Sequence, residues 1–293
     1  MAKENARFLW VVALGLSFSF AYAQSPQQII QQVVNAEHAA DENDHSQWVY
    51  LEEIRKPKEE VLQWVAGTQQ GDVQRVLEKD EQRLSASQQR DLIQNFLRDP
   101  GARKKQISES NHDNKQIDDL LQLLPIAFLW TQTGENATAT FLHFEPAPRF
   151  HPPTREARVF SSMAGDIVVD NGQHRIRSMS GYLMHEVKFG GGILGKLKEG
   201  SSFSLDQEQV GPSLWQLTAF HVRLEGNALL FKSISLQQDD KRSDFEPEPS
   251  TITLNQAATL VMSQPETVQG PSTPSAAGRP SHVDSLRHNP VGQ

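Results

Sequence analysis

The triplet Asp170-Asn171-Gly172 constrains this chain more than any other feature. Asn and Gly accept positive φ at little cost, so a tight turn forms there and the runs on either side must pair antiparallel. Other turn signals repeat the message. Gly134-Glu135-Asn136 separates 128–133 from 137–144, and Glu225-Gly226-Asn227 separates 214–224 from 229–236. The runs 174–188 and 202–209 lie between them. Near the front, 48–54 alternates in polarity, and 61–66 and 73–78 flank the loop 67–71. Tight hairpins join strands directly, whereas parallel strands need long crossovers. The expected class is therefore mainly β within α+β: one highly curved antiparallel sheet of roughly ten strands, interrupted by helical insertions.

The helical stretches carry their own punctuation. Ser25 caps a helix that starts at Pro26 and shows a stripe of Ile29, Ile30, Val33 and Val34. The segment 41–46 is a polar break. Ser85-Ala86-Ser87-Gln88 fits a capping box ahead of Leu92, Ile93, Phe96 and Leu97, and Asp99-Pro100-Gly101 stops that helix. A second helix carries Ile117, Leu120, Leu121 and Leu124, and Pro125 limits its run. Pro146, Pro148, Pro152 and Pro153 form a stiff connector to a short helix over 154–163. One last helix is expected over 251–262. From 263 to 293 the chain is Pro, Gly, Ser and polar residues without periodicity, which predicts a disordered tail.

The first 23 residues predict the compartment. Lys3 and Arg7 precede an apolar run from Phe8 to Phe20, and Ala21-Tyr22-Ala23 has the spelling of a signal-peptidase site. The expectation is an exported, periplasmic protein that starts at Gln24, with one domain over 24–249. The chain has no cysteine, so neither a lipid-anchored cysteine nor a disulfide is possible. Its net charge of −8 argues against nucleic acid as a partner and against docking on anionic lipid. After the first 23 residues no apolar run approaches the ~18 residues that span a bilayer, so stable membrane insertion is not expected.

Nothing in the sequence points to a reaction, and neither cofactor nor metal is expected. Gly190 to Leu197 matches most of a P-loop, but Leu197 stands where Ser or Thr must ligate magnesium, and a β pattern follows instead of a helix. Asp41, Asn43, His45 and Glu52 begin like a calcium loop, but Ser46 stands where that loop needs Gly. His143, His185 and His221 fall in strands without metal-ligand spacing. No G-x-S-x-G nucleophile elbow exists.

The apolar strands are more suggestive. Alternation places Leu183, His185, Val187 and Phe189 on one face of a strand, and Trp215, Leu217 and Ala219 together on the next long one. Leu214, Phe220, Val222 and Leu224 lie opposite the latter set, so that strand is apolar on both sides over part of its length. One side must pack on helices, and the other lines a cavity or a filled core.

In element order, and in Phe144-Glu-Pro-Ala-Pro-Arg-Phe150 and Met163-Ala-Gly-Asp-Ile-Val-Val-Asp-Asn-Gly172, the chain resembles the LolA/LolB/RseB superfamily of periplasmic lipoprotein-binding proteins. The resemblance spans roughly 25–235. It implies an open half-barrel with helices packed on its concave face as a lid. It also implies acyl chains held there without a cofactor, and a ligand-binding set of Trp130, Phe141, Leu183, Val187, Trp215 and Leu217. Lipid or lipoprotein acyl chains are the partners implied. A protein-binding envelope factor on the same fold and an unrecognised hydrolase are the alternatives.

Overall fold

The computed structural model describes residues 24–189, 195–228 and 237–266. Helix α1 (Pro26–Asn43) leads into strands β1 (Gln47–Lys56), β2 (Glu59–Ala66), β3 (Val73–Lys79) and the two-residue β4 (Gln82–Arg83). Helices α2 (Ala86–Arg98), α3 (Pro100–Leu121) and the short α4 (Leu124–Ala127) follow. Next come β5 (Phe128–Glu135), β6 (Ala139–Pro146), a 3-10 helix (Glu156–Ser162), β7 (Met163–Asp170) and β8 (Ile176–Leu183). The chain continues through β9 (Val187–Phe189), β10 (Gly195–Leu197), β11 (Ser202–Gly211), β12 (Leu214–Arg223), β13 (Gly226–Ala228), β14 (Gln237–Glu248) and α5 (Leu254–Ser263).

Eleven strands form one open, curved antiparallel sheet in the order β4-β3-β2-β1-β14-β12-β11-β8-β7-β6-β5. The curved sheet with packed helices is the expected architecture. Its helix ends follow local chemistry. Ser25 with Gln28, Ser85 with Gln88, and Thr253 with Gln256 each close a capping box. Asp99 ends α2, and its side chain accepts from Ala102 to start α3, so the stop signal read in the sequence is also a start.

The helices divide between the two faces of the sheet. On the inner face, α1, α4 and the 3-10 helix cover β5 to β8, and Ile30, Val33, Phe128, Phe144, Ile167, Met179 and Leu183 interlock there. On the outer face, α2 and α5 cover β2 and β3, and Val49, Leu51, Trp64, Val73, Ile93 and Val261 form a second core. The cross-strand registers require this division. Leu51 lies opposite Ser243, whereas Glu52 lies opposite Arg242; Arg242 shares its face with Asp240, which pairs with Phe220, and Phe220 pairs with Leu205 of the first core. Residues 51 and 52 point opposite ways, so the two cores lie on opposite faces.

Two strand readings need correction. The run 174–188 is not one strand. It breaks at Met184 to Glu186, where the Met184 N–H turns to the Ser162 carbonyl, and Val187 opens β9 in a separate three-stranded sheet with β10 and β13. Nor do Leu217 and Ala219 share a face. A bulge shifts the register between Asp206 and Gln207, so Ala219 faces Asp206 and Leu217 faces Gln207. Neighbours on β11 point to opposite faces, which puts Leu217 on the inner one. Gly195 to Leu197 are strand β10, with no helix after them. The predicted signal segment 1–23, the start of the glycine-rich stretch at 190–194, the run 229–236 and the tail from 267 lie outside the described residues. Among the described residues no helix is long and apolar enough to cross a membrane.

Candidate functional site on the inner face

The six sequence-predicted ligand residues do not converge. Trp130, Leu183 and Val187 are buried in the inner core. The rings of Phe128, Trp130, Phe144 and Phe160 fill that space, with centroids 4.6 Å apart for Phe128 and Phe144 and 5.2 Å for Trp130 and Phe144. Trp215 is buried and donates its Nε1–H to Gln173 at 2.9 Å. Phe141 stands on the outer face and is 36% exposed, because it alternates with inward-facing Leu142 and Phe144. Leu217 alone is half-buried on the inner face beyond the filled core.

Among the described residues the helices make their closest contacts with β2, β3 and β5 to β7; α1 also reaches the start of β8 through Glu37, and α3 bonds through Gln106 to Asp72 and through Asp118 to His38 of α1. Across β2, β1, β14 and β12 the inner face reads Val61, Ile54, Asp240 and Phe220 in one register row. The next row holds Gln63, Glu52 and Arg242. Tyr50 and Val65 pair beyond them. Val61, Ile54 and Phe220 are half-buried.

A bulge shapes this patch. Asp244 adopts φ 55°, a left-handed conformation unusual outside Gly, and the register with β1 shifts between Val49 and Leu51. As a result Arg242 and Phe245, three positions apart, both reach the Tyr50 ring. Phe245 stacks on it at 5.4 Å and 26°, and the Arg242 guanidinium carbon lies 5.4 Å from its centroid. Trp48 meets Phe245 edge-on at 6.3 Å.

The charges here are unevenly satisfied. Glu52 is used at both oxygens: Arg242 Nε donates to Oε1 at 3.0 Å and Gln63 Nε2 to Oε2 at 2.8 Å. Asp240 accepts from Gln238 Nε2 at 2.7 Å through Oδ2, but its buried Oδ1 has no partner. Burial, followed by the nearby Glu52 charge, pushes the Asp240 carboxyl above its ordinary value despite the Gln238 hydrogen bond. Burial likewise raises Asp72, just before β3, with Glu52 adding to it, and it raises the Tyr50 phenol. For Arg242, burial opposes the charge, but Tyr50, Glu52 and Asp240 outweigh it and hold the guanidinium more firmly protonated. The sequence hid this site. Glu52 looked like the end of an ion loop, and Arg242 lay in a charged run without alternation.

The outer face has its own polar order. Ser204, His221 and Asp239 occupy one row on adjacent strands, and His221 Nδ1 lies 2.8 Å from Asp239 Oδ1. The backbone N–H groups there serve the ladder, and the groove of about 390 Å³ beside Ser180 and Tyr182 is shallow. Nothing in the row offers a pair of donors for a developing oxyanion. His143 pairs instead with Asp166 at 2.9 Å, and no His/Asp/Glu group among the described residues is arranged to hold a metal.

No family model matches the chain, and no curated protein sequence does. Among solved structures, the chain is similar to a DUF1329 family protein from Desulfovibrio piger at 13% identity, over 76% of this chain and 93% of that one. The TM-score is 0.29, so this likeness carries no argument about fold or function.

Proposed function

We propose that the protein is a non-catalytic periplasmic binding protein for lipid or lipoprotein acyl chains, and that the chain lies across the open middle of the inner face. The observation that carries this reading is the row Val61, Ile54 and Phe220, half-buried apolar side chains on one face beside an aromatic and charged patch. The expected apolar residues Trp130, Leu183 and Val187 serve instead as the wall that closes one end. Burial of methylenes supplies the driving force at ~0.8 kcal/mol each, so a 14- to 16-carbon chain contributes on the order of 10 kcal/mol before entropy losses.

Native mass spectrometry of protein purified from the envelope, followed by lipid extraction, tests this. Stoichiometric lipid or lipoprotein is expected. Phe220→Glu and Ile54→Glu should abolish it with the circular dichroism spectrum unchanged, while Phe141→Glu on the outer face should leave it intact. One observation favours a second reading, a protein-binding envelope factor. Leu129, Phe141 and Tyr182 are all exposed on the outer face of β5 to β8. Lipid-free protein whose partner capture is lost in Phe141→Glu would select that reading.

A further inference from the structure

We infer that the bound amphiphile ends in an oxyanion, a carboxylate or a phosphate, gripped by the Arg242 guanidinium and the Tyr50 hydroxyl, with Asp240 two residues before Arg242 on the same face of β14. This rests on the acyl-binding reading, because the same patch must hold the chain.

Three atoms carry the argument. Arg242 is committed only through Nε, to Glu52; its two Nη atoms make no hydrogen bond among the described residues, and its side chain is 31% exposed. An uncommitted guanidinium fork suits two parallel N–H···O bonds to one oxyanion. The Tyr50 hydroxyl likewise has no hydrogen bond among the described residues, while its ring is held by Phe245 and Arg242. Asp240 Oδ1 is buried and unpartnered in a side chain only 9% exposed, between the half-buried Ile54 and Phe220. Glu52 does not compete for the ligand, since both its oxygens are occupied. A slot for hydrocarbon alone needs none of these groups. The bulge at Asp244, which brings Arg242 and Phe245 to one ring, is the kind of local strain that accumulates at binding sites.

An anion beside Asp240 favours its protonated form, which turns Oδ1 into a donor and makes binding take up a proton. The charged groups that act on Asp240 are Glu52 and Lys56 on β1 and Arg242 on β14. Its burial already favours that uptake.

The test uses the delipidated mature chain and three twelve-carbon probes: laurate, dodecyl phosphate and dodecanol. Calorimetry on the wild type should give at least one anion about ten-fold tighter than the alcohol, and whichever anion wins names the source. Arg242→Gln should erase that margin and leave dodecanol affinity unchanged. If that variant does not fold, Arg242→Lys, which keeps the charge and loses the fork, should weaken the anion alone. Anion affinity should rise more steeply as pH falls in the wild type than in Asp240→Asn, compared for the same probe over the same pH values. Equal affinity for anion and alcohol in the wild type, or a margin that survives Arg242→Gln, overturns the inference but leaves the acyl-binding reading standing. Failure of all three probes to bind overturns both.

Discussion

Two stretches of the same inner face behave oppositely. Over β5 to β8 the face is closed by aromatic rings, and Trp130 Nε1 donates to the Leu124 carbonyl at 3.1 Å, although Gln32 Oε1 and Arg175 Nε are left buried without a partner. Over β1, β14 and β12 the face leaves Ile54 and Phe220 half-buried and leaves Asp240 Oδ1 without a partner. One sheet thus uses one end as a filled core and leaves apolar side chains half-buried in the middle. Packing, rather than the satisfaction of polar groups, separates the two stretches, since each holds a buried polar atom without a partner.

The largest expected effect separates them by stability. Phe144→Ala removes a ring in contact with Phe128 and Trp130, and urea unfolding should show a loss of about 3–5 kcal/mol. Phe220→Ala, half-buried, should cost about 1 kcal/mol. Equal losses would show that the middle is core and sink the comparison.

Next comes the outer core, through Arg75. This buried guanidinium donates to Gln89 Oε1 at 2.7 Å and to the carbonyls of Val261 and Gln264 at 3.1 and 2.7 Å, so it ties the C-terminal end of α5 to α2. A cation at a helix C-terminus also meets the helix dipole favourably. Arg75→Ala leaves Gln89 and those carbonyls unpaired and should cost about 3 kcal/mol, with earlier protease cleavage near 250.

Two aspartates sharpen the contrast through pH. Burial by itself raises Asp170, but hydrogen bonds from Arg177 and from the Gln173 and Gly172 N–H groups outweigh it and hold the carboxyl below 3.8. Its stabilisation is therefore full above the unfolded value and is lost as pH falls through the folded one. Asp240 has the opposite sign. Its folded value lies above 3.8, so stability is lost as pH rises from the unfolded value through the folded one. Asp170→Asn should destabilise by about 1 kcal/mol at neutral pH and flatten the acid limb, whereas Asp240→Asn should stabilise the ligand-free protein by about 1 kcal/mol. Thermal melts across pH measure both, and two shifts of the same sign would contradict the contrast.

The smallest effect is a control at neither stretch. Asp80 and Glu81 hold φ of 51° and 64° in the turn between β3 and β4. Glu81→Gly fits that turn without strain and should raise stability by roughly 0.5 kcal/mol in the same unfolding assay.

Much of this was legible because it is local. A capping box needs four residues, so Ser85 and Gln88 announced α2, and Asn171-Gly172 announced the β7–β8 hairpin. The candidate site was not legible, because it depends on bulges. Alternation put Leu217 with Ala219, yet one irregularity opposite Asp206 separated them. Asp244 did the reverse, bringing Arg242 and Phe245 together. The strand end at Leu183 was hidden too, since Met184 to Glu186 differ little in polarity from the residues around them.

By itself the sequence determined several hairpin-linked strands, the capped helix starts and antiparallel pairing, since turn chemistry and capping act within a few residues, but it missed strand β14 and the break after Leu183. The tertiary structure alone decided that β14 inserts between β1 and β12, that α2 and α5 take the outer face, and that Arg242 meets both Tyr50 and Glu52. Those outcomes depend on registers between segments some 190 positions apart, as Glu52 and Arg242 are, and no local preference encodes them.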